Sequence, residues 1–184
     1  MKAILVKEIM VPLSEYATVS EEASLSEAVA ALKKSQADFD KAKYRHRAIL
    51  IYDKANNIVG KVNFLTILRA LEPKYEEMLS DRGPLHIGFT RKFQRAMFES
   101  LKLWQDPLAH LCSKAAQVKV KNFMVKPLES ELIEPDAGLG EAIHQLVIGH
   151  HQSLLVAKDK KIVGILRLTD AFQVVADHML QCPS

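Results

Sequence analysis

The sequence predicts an α/β protein of the α+β kind, made of two copies of one unit with a helical insert between them. Three observations carry this: an internal repeat, matching helical stripes in both copies, and in each copy two short apolar runs around a polar turn. Val6-Lys7-Glu8-Ile9-Met10-Val11 returns as Val120-Lys121-Asn122-Phe123-Met124-Val125, an offset of 114. Without a gap that offset carries Ala23-Ser24-Leu25-Ser26-Glu27-Ala28-Val29 onto Ala137-Gly138-Leu139-Gly140-Glu141-Ala142-Ile143. Later it falls to 104, where Ile58-Val59-Gly60 meets Ile162-Val163-Gly164, because the first copy has extra residues between its helix and strand. The copies are placed at 1–72 and 119–184, and the insert at 73–118.

Within the first copy, Leu25, Ala28, Val29 and Leu32 fall at i, i+3, i+4, i+7, and Ser24 with Glu27 forms a capping box, which predicts one amphipathic helix. Ala48 to Tyr52 and Ile58 to Val62 read as a strand pair joined by a turn at Asp53-Lys54-Ala55-Asn56-Asn57. A helix-like stretch, Thr66 to Leu71, follows. The second copy repeats each step. Leu139, Ala142, Ile143 and Leu146 form the stripe, opened by Gly138 and so without a side-chain cap. Leu154 to Ala157 and Ile162 to Leu166 form the strand pair around Lys158-Asp159-Lys160-Lys161, and Thr169 to Leu180 the closing helix. Each unit is therefore β-α-β-β-α. In the insert, Phe93, Met97, Leu101 and Trp104 line a helix face after Thr90 as N-cap. Asp106-Pro107 then starts a second helix that buries Leu108, Leu111 and Cys112. Such an insert serves as a cap over the module, as a dimer surface, or as a partner-docking element.

The composition excludes several classes. With 184 residues, 48% of them hydrophobic, the chain can bury a core that needs neither disulfide nor structural metal. Cys112 and Cys182 match no metal spacing and give no disulfide framework, so a cytoplasmic setting is expected. Ala3 to Val6 is too short an apolar stretch for a signal peptide. Ala142 to Ala157 lacks formal charges but is broken by His, Gln and Ser, and falls short of a membrane span. The net charge of +3 is concentrated in residues 69–121, where ten Lys/Arg stand against six Asp/Glu. That excess is too dilute for a nucleic-acid binder.

The tandem order, with Met10 and Pro12 opening one copy, Met124 and Pro127 the other, and Ile-Val-Gly closing both, resembles the cystathionine β-synthase (CBS) domain pair. Arg45-His46-Arg47 before a strand, and Gly164-Ile165-Leu166 leading into Thr169-Asp170, add to the resemblance, which covers residues 1–72 and 119–182. It implies an intertwined pair with pseudo-two-fold symmetry, two facing sheets with clefts between them, and dimerisation into a flat disc. It further implies adenine-nucleotide ligands (AMP, ADP or ATP), less often S-adenosylmethionine or a metal, and no required cofactor.

The family's ribose-reading motif runs from a glycine to Ser/Thr, then two residues, then Asp. In the second copy it falls on Gly164, Arg167 and Asp170, with Arg in place of the hydroxyl residue; in the first, on Gly60, Asn63 and Thr66, where the Asp is missing. The two sites are expected to differ. A carboxylate at a helix start can accept from a ribose diol, or it can cap the helix, and Thr169 beside it suits either role. Arg167 offers a planar fork to phosphate, or an ion pair to Asp170 one turn away. Arg45 and Arg47 share a strand face opposite His46, and that face meets either the cleft or solvent. The second copy has His150, His151 and Gln152 at that place, and Gln152 joins the candidate set.

His144, His150 and His151 lack further ligands at metal spacing. Ser153 lies in no nucleophile elbow, no glycine-rich phosphate loop is present, and Glu27 and Glu141 are third residues of helix turns, so no enzyme is expected. The sequence thus points to a homodimeric regulatory module that senses an adenosine-containing ligand and signals to a regulated protein. The alternative is a ligand-free scaffold with a degenerate site.

Overall fold

The computed structural model describes residues 4–38, 45–72, 74–75, 90–104 and 108–181. The first copy contains α1 (Val6–Ile9), β1 (Val11–Pro12), β2 (Thr18–Ser20), α2 (Leu25–Asp38), β3 (Ala48–Tyr52), β4 (Ile58–Asn63) and α3 (Phe64–Leu71). The insert contributes α4 (Arg91–Ser100) and α5 (Leu108–Gln117). The second copy contains β5 (Leu132–Ile133), α6 (Leu139–Ile148), β6 (Ser153–Lys158), β7 (Lys161–Arg167) and α7 (Leu168–Gln181). The capping box before α2 is formed: Ser24 N donates to Glu27 Oε2 at 2.6 Å and Glu27 N to Ser24 Oγ at 3.2 Å. Gly138 precedes α6 without a side-chain cap. In the β3–β4 turn the Asp53 carboxylate accepts from the N–H groups of Ala55 and Asn57, with Asn56 at φ 62°.

Two sheets result. One runs β2-β3-β4, with β2 parallel and β4 antiparallel to β3; the other runs β1-β7-β6-β5, with β5 parallel to β6 and the remaining pairs antiparallel. The opening segment of each copy is exchanged. Val11 of β1 pairs with Ile165 of β7, and Leu5 bridges Gly138; reciprocally, Val125 bridges Lys61 and Lys119 bridges Ser24. The repeat offsets convert each of these contacts into the other, so the chain has a pseudo-two-fold axis. The cores follow the exchange: Val120 is buried with Leu25, Leu32, Ile49 and Val62, whereas Val6 is buried with Ala142, Leu146, Leu154 and Leu166. Between the sheets lie Val11, Tyr16, Leu50, Leu155 and Ile165.

The insert departs from expectation in two respects. Helix α4 is capped by Thr90 but ends at Ser100, so Leu101 and Trp104 are not on its face. Lys102 (φ 50°) and Trp104 (φ 57°) turn the chain instead. Trp104 N donates to Glu72 Oε2 at 3.0 Å and its indole Nε1 to the Tyr75 hydroxyl at 3.1 Å, which ties the turn to the end of the first copy. Cys112 is exposed, not buried, because α5 meets α2 and α3 through Ala115, and Val118 just beyond it, rather than through its outer face. Asp106, Pro107 and the Leu108 side chain lie outside the described residues. Among the described residues no helix is long and apolar enough to cross a membrane.

Candidate ligand-binding site

A cavity of about 410 Å³ opens where the two copies meet. Arg45, Arg47, Asn63, Gln152, Arg167 and Thr169 all line it, so six of the eight candidate residues come together from both copies. The other two, Asp170 and Thr66, sit behind its wall, and the pseudo-symmetry explains why. Asn63 and Thr66 are the repeat mates of Arg167 and Asp170, and each copy closes the same i, i+3 pair in its own way. In the first, Thr66 N donates to Asn63 Oδ1 at 2.9 Å and Asn63 N donates to Thr66 Oγ1 at 2.7 Å, a reciprocal cap for α3. In the second, the Arg167 guanidinium grips Asp170 with two bonds, Nε to Oδ2 at 2.6 Å and Nη2 to Oδ1 at 2.5 Å.

The Arg167 side chain is 7% exposed and that of Asp170 16%. Such a pair holds its geometry only because both charges are satisfied together. Arg167 Nη1 also lies 3.5 Å from His46 Nδ1, and the His46 ring packs edge-on against Tyr16 with centroids 4.3 Å apart. Burial, and then the Arg167 charge, push the His46 pKa down to about 4; burial pushes the Tyr16 hydroxyl up to about 12. His46 is thus neutral and buried, while Arg45 and Arg47, one residue to either side, are exposed at the cavity. Strand-like alternation accounts for that division.

The sequence reading overlooked Tyr16, Lys61 and Glu131, which also line the cavity. Lys61 of β4 forms an ion pair with Glu131 of the second copy; Glu131 also accepts from Leu128 N at 3.0 Å, and His151 Nδ1 lies 3.6 Å from it. Burial pushes the Glu131 pKa up, but the Lys61 bond and the Leu128 amide outweigh it and hold the carboxyl below its usual value. A signal for both residues was present in the repeat. Ile165 is the mate of Lys61 and Ala17 that of Glu131, so charge stands where the other copy is apolar. A smaller hollow of about 230 Å³ lies between the hairpin turns, lined by Asn56, Asn57, Lys160 and Lys161. Among the described residues no three His, Cys, Asp or Glu side chains gather at metal-binding distance.

The chain matches the CBS domain model twice, over residues 6–73 and 120–177. Among solved structures it is similar to the CBS domain of a CBS domain-containing membrane protein from Sphaerobacter thermophilus, at 17% identity and TM-score 0.62 over 94% of this chain and 88% of that one. It is also similar to the CBS-pair protein CBSX2 from Arabidopsis thaliana, at 16% identity and TM-score 0.60 over 98% of this chain and 100% of that one. A structure of CBSX2 in complex with AMP aligns at 15% identity and TM-score 0.57, over 95% and 98% of the two chains. At these identities the likeness is one of fold. No curated protein sequence matches. The repeat, the exchanged opening strands and the two matched segments together make this chain a member of the CBS domain family, carrying two CBS domains in tandem.

Proposed function

We propose that this chain is a regulatory module that binds an adenosine nucleotide of the AMP, ADP or ATP class between its CBS domains and passes the change to a regulated protein. The observation that carries the reading is the convergence of Arg45, Arg47, Asn63, Gln152, Arg167 and Thr169, contributed by both copies, on one cavity of about 410 Å³. That volume lies within the range of small-molecule sites, and the cationic lining suits phosphate. The AMP complex of CBSX2 supports the ligand class. A ligand touching both copies favours the relative position in which all its contacts are made, and so shifts an equilibrium without covalent chemistry.

Homodimerisation belongs to the same proposal. Phe64, Leu65 and Leu68 on α3, and Leu168, Phe172 and Met179 on its repeat mate α7, are exposed large apolar side chains. A second copy would cover both helices through one self-complementary surface.

The test is a nucleotide panel read by thermal shift and calorimetry. AMP, ADP or ATP should bind at one site per chain, and at a hundredfold excess over Kd the fold should gain about 2.7 kcal/mol. If no adenosine ligand raises the melting temperature, the scaffold reading takes its place. That second reading has one observation in its favour: Asp170, the family's ribose-binding position, is already occupied by Arg167.

A further inference from the structure

The Lys61–Glu131 pair has no counterpart across the pseudo-two-fold axis, where Ile165 and Ala17 stand, both buried. The repeat therefore folds with apolar residues at this place. Exchanging a buried ion pair for apolar groups is often neutral or stabilising, so the pair is not explained by stability. Its setting suggests a different use. Lys61, Glu131 and His151 all line the cavity, and their side chains are 14%, 9% and 12% exposed. The His151 Nε2 atom is buried with no hydrogen-bond partner among the described residues, while Nδ1 is 3.6 Å from the carboxylate.

We propose that Lys61 is an anion subsite of the cavity, and that Glu131 occupies it as an internal competitor whose release is coupled to proton uptake by His151. This rests on the reading of the cavity as a site for an anionic ligand. An arriving phosphate takes Lys61 from Glu131. The carboxylate, still buried, then needs another cation within reach, and a protonated His151, whose Nδ1 already lies 3.6 Å from it, supplies one in place. Anion binding therefore strengthens as pH falls. The other charged groups lining the cavity are Arg45 and Arg47 before β3, Arg167 at the end of β7, and His150 beside His151. The three arginines keep their charge throughout, so His150 is the neighbour to be controlled for.

The experiment uses two probes whose own charge is constant between pH 6 and 8: ADP-ribose, which carries adenosine, and inorganic sulfate, which does not. Affinities are measured by calorimetry and by NMR titration on the full chain. In the wild type both probes should bind several-fold more tightly at pH 6 than at pH 8, and His151→Gln should abolish that difference where His150→Gln does not. Glu131→Gln should tighten both probes at pH 8 by about tenfold. Equal affinity of the wild type at the two pH values, or a pH dependence that persists in His151→Gln, overturns the proposal, and neither arm depends on the folding of Glu131→Gln. Failure of both probes to bind at all also overturns it. If sulfate follows the expected pattern while ADP-ribose binds no more tightly than sulfate, the subsite stands and the nucleotide reading falls.

Discussion

Met10 of the first copy lies across Gly164 of the second, so close that a methyl group built on the glycine would come within 3.0 Å of the Met10 sulfur and 2.7 Å of the Val11 carbonyl oxygen. The mate contact is Met124 on Gly60, where the methyl would lie 2.5 Å from the sulfur. The methionine opening one copy and the glycine inside the last strand of the other are thus two halves of one joint. Each copy supplies half of it to the other, which is why the two signals recur together in the sequence.

This joint gives the first prediction. Gly164→Ala confronts a backbone oxygen that no rotamer change can move, so it should cost about 1–3 kcal/mol. At Gly60 the obstacle is mainly the flexible end of Met124, and Gly60→Ala should cost less. Thermal melts of the two variants should rank them in that order, with roughly 2–4 °C lost per kcal/mol. A Gly164→Ala protein as stable as the wild type would show that β1 can lift from β7 freely.

The Arg167–Asp170 pair gives the second. Removing the carboxylate leaves a guanidinium that is 7% exposed without its charged partner, so Asp170→Asn and Asp170→Ala should both lose about 3 kcal/mol or more in urea denaturation. Asn caps a helix about as well as Asp. If Asp170→Asn is neutral and only Asp170→Ala is costly, the residue acts as a helix cap and the pair adds nothing to stability.

Much of this was legible in the sequence because it is periodic. The α2 and α6 stripes, the two hairpins and their flanking helices follow from apolar spacing and turn residues; the structure keeps β3 at Ala48–Tyr52, lengthens the other strands and the flanking helices by no more than two residues at an end, and runs α2 on to Asp38. Arg45 and Arg47 were legible through alternation, which sends neighbours to opposite sides, and Gln152 through its matching place in the second copy. What stayed hidden depends on which copy faces which. Lys61 and Glu131 are 70 residues apart and make no local pattern, so only the axis relating the copies brings them together. The ending of α4 at Ser100 was hidden for a similar reason: the amphipathic stripe runs on through Trp104, but Glu72 and Tyr75 capture that residue from a distant segment. Tertiary contacts overrode the local period.

A third prediction concerns the reciprocal cap at α3. Thr66 Oγ1 accepts from Asn63 N and donates to Asn63 O at 2.8 Å, and its side chain is buried away from the cavity. Thr66→Val keeps the shape and loses these bonds, which should cost about 1 kcal/mol. Because Thr66 does not line the cavity, nucleotide affinity should stay within about twofold of wild type. A variant with normal stability and lowered affinity would place Thr66 in contact with ligand.

The last prediction follows from His46. Its pKa is pushed from the ordinary 6.5 to about 4, first by burial and then by the Arg167 charge. The unfolded chain therefore takes up a proton on this histidine well before the folded chain does. Between those two values protons favour unfolding, so the stability contributed by neutral His46 is full above about pH 6.5 and is lost as the pH falls towards 4. The loss should approach about 3 kcal/mol, at 1.36 kcal/mol for each unit of displacement. The carboxylates held below their ordinary range, such as Asp136 beside Lys7 and Glu22 beside Lys121, lose their stabilisation only below about pH 4.5, so they leave the upper part of the window to His46. Denaturation of the wild type and of His46→Gln at pH 7 and pH 5 checks this. The wild type should lose markedly more stability between the two, because a glutamine in the same pocket has no proton to gain. Equal losses would mean that His46 charges in place, with Asp170 near enough to balance it.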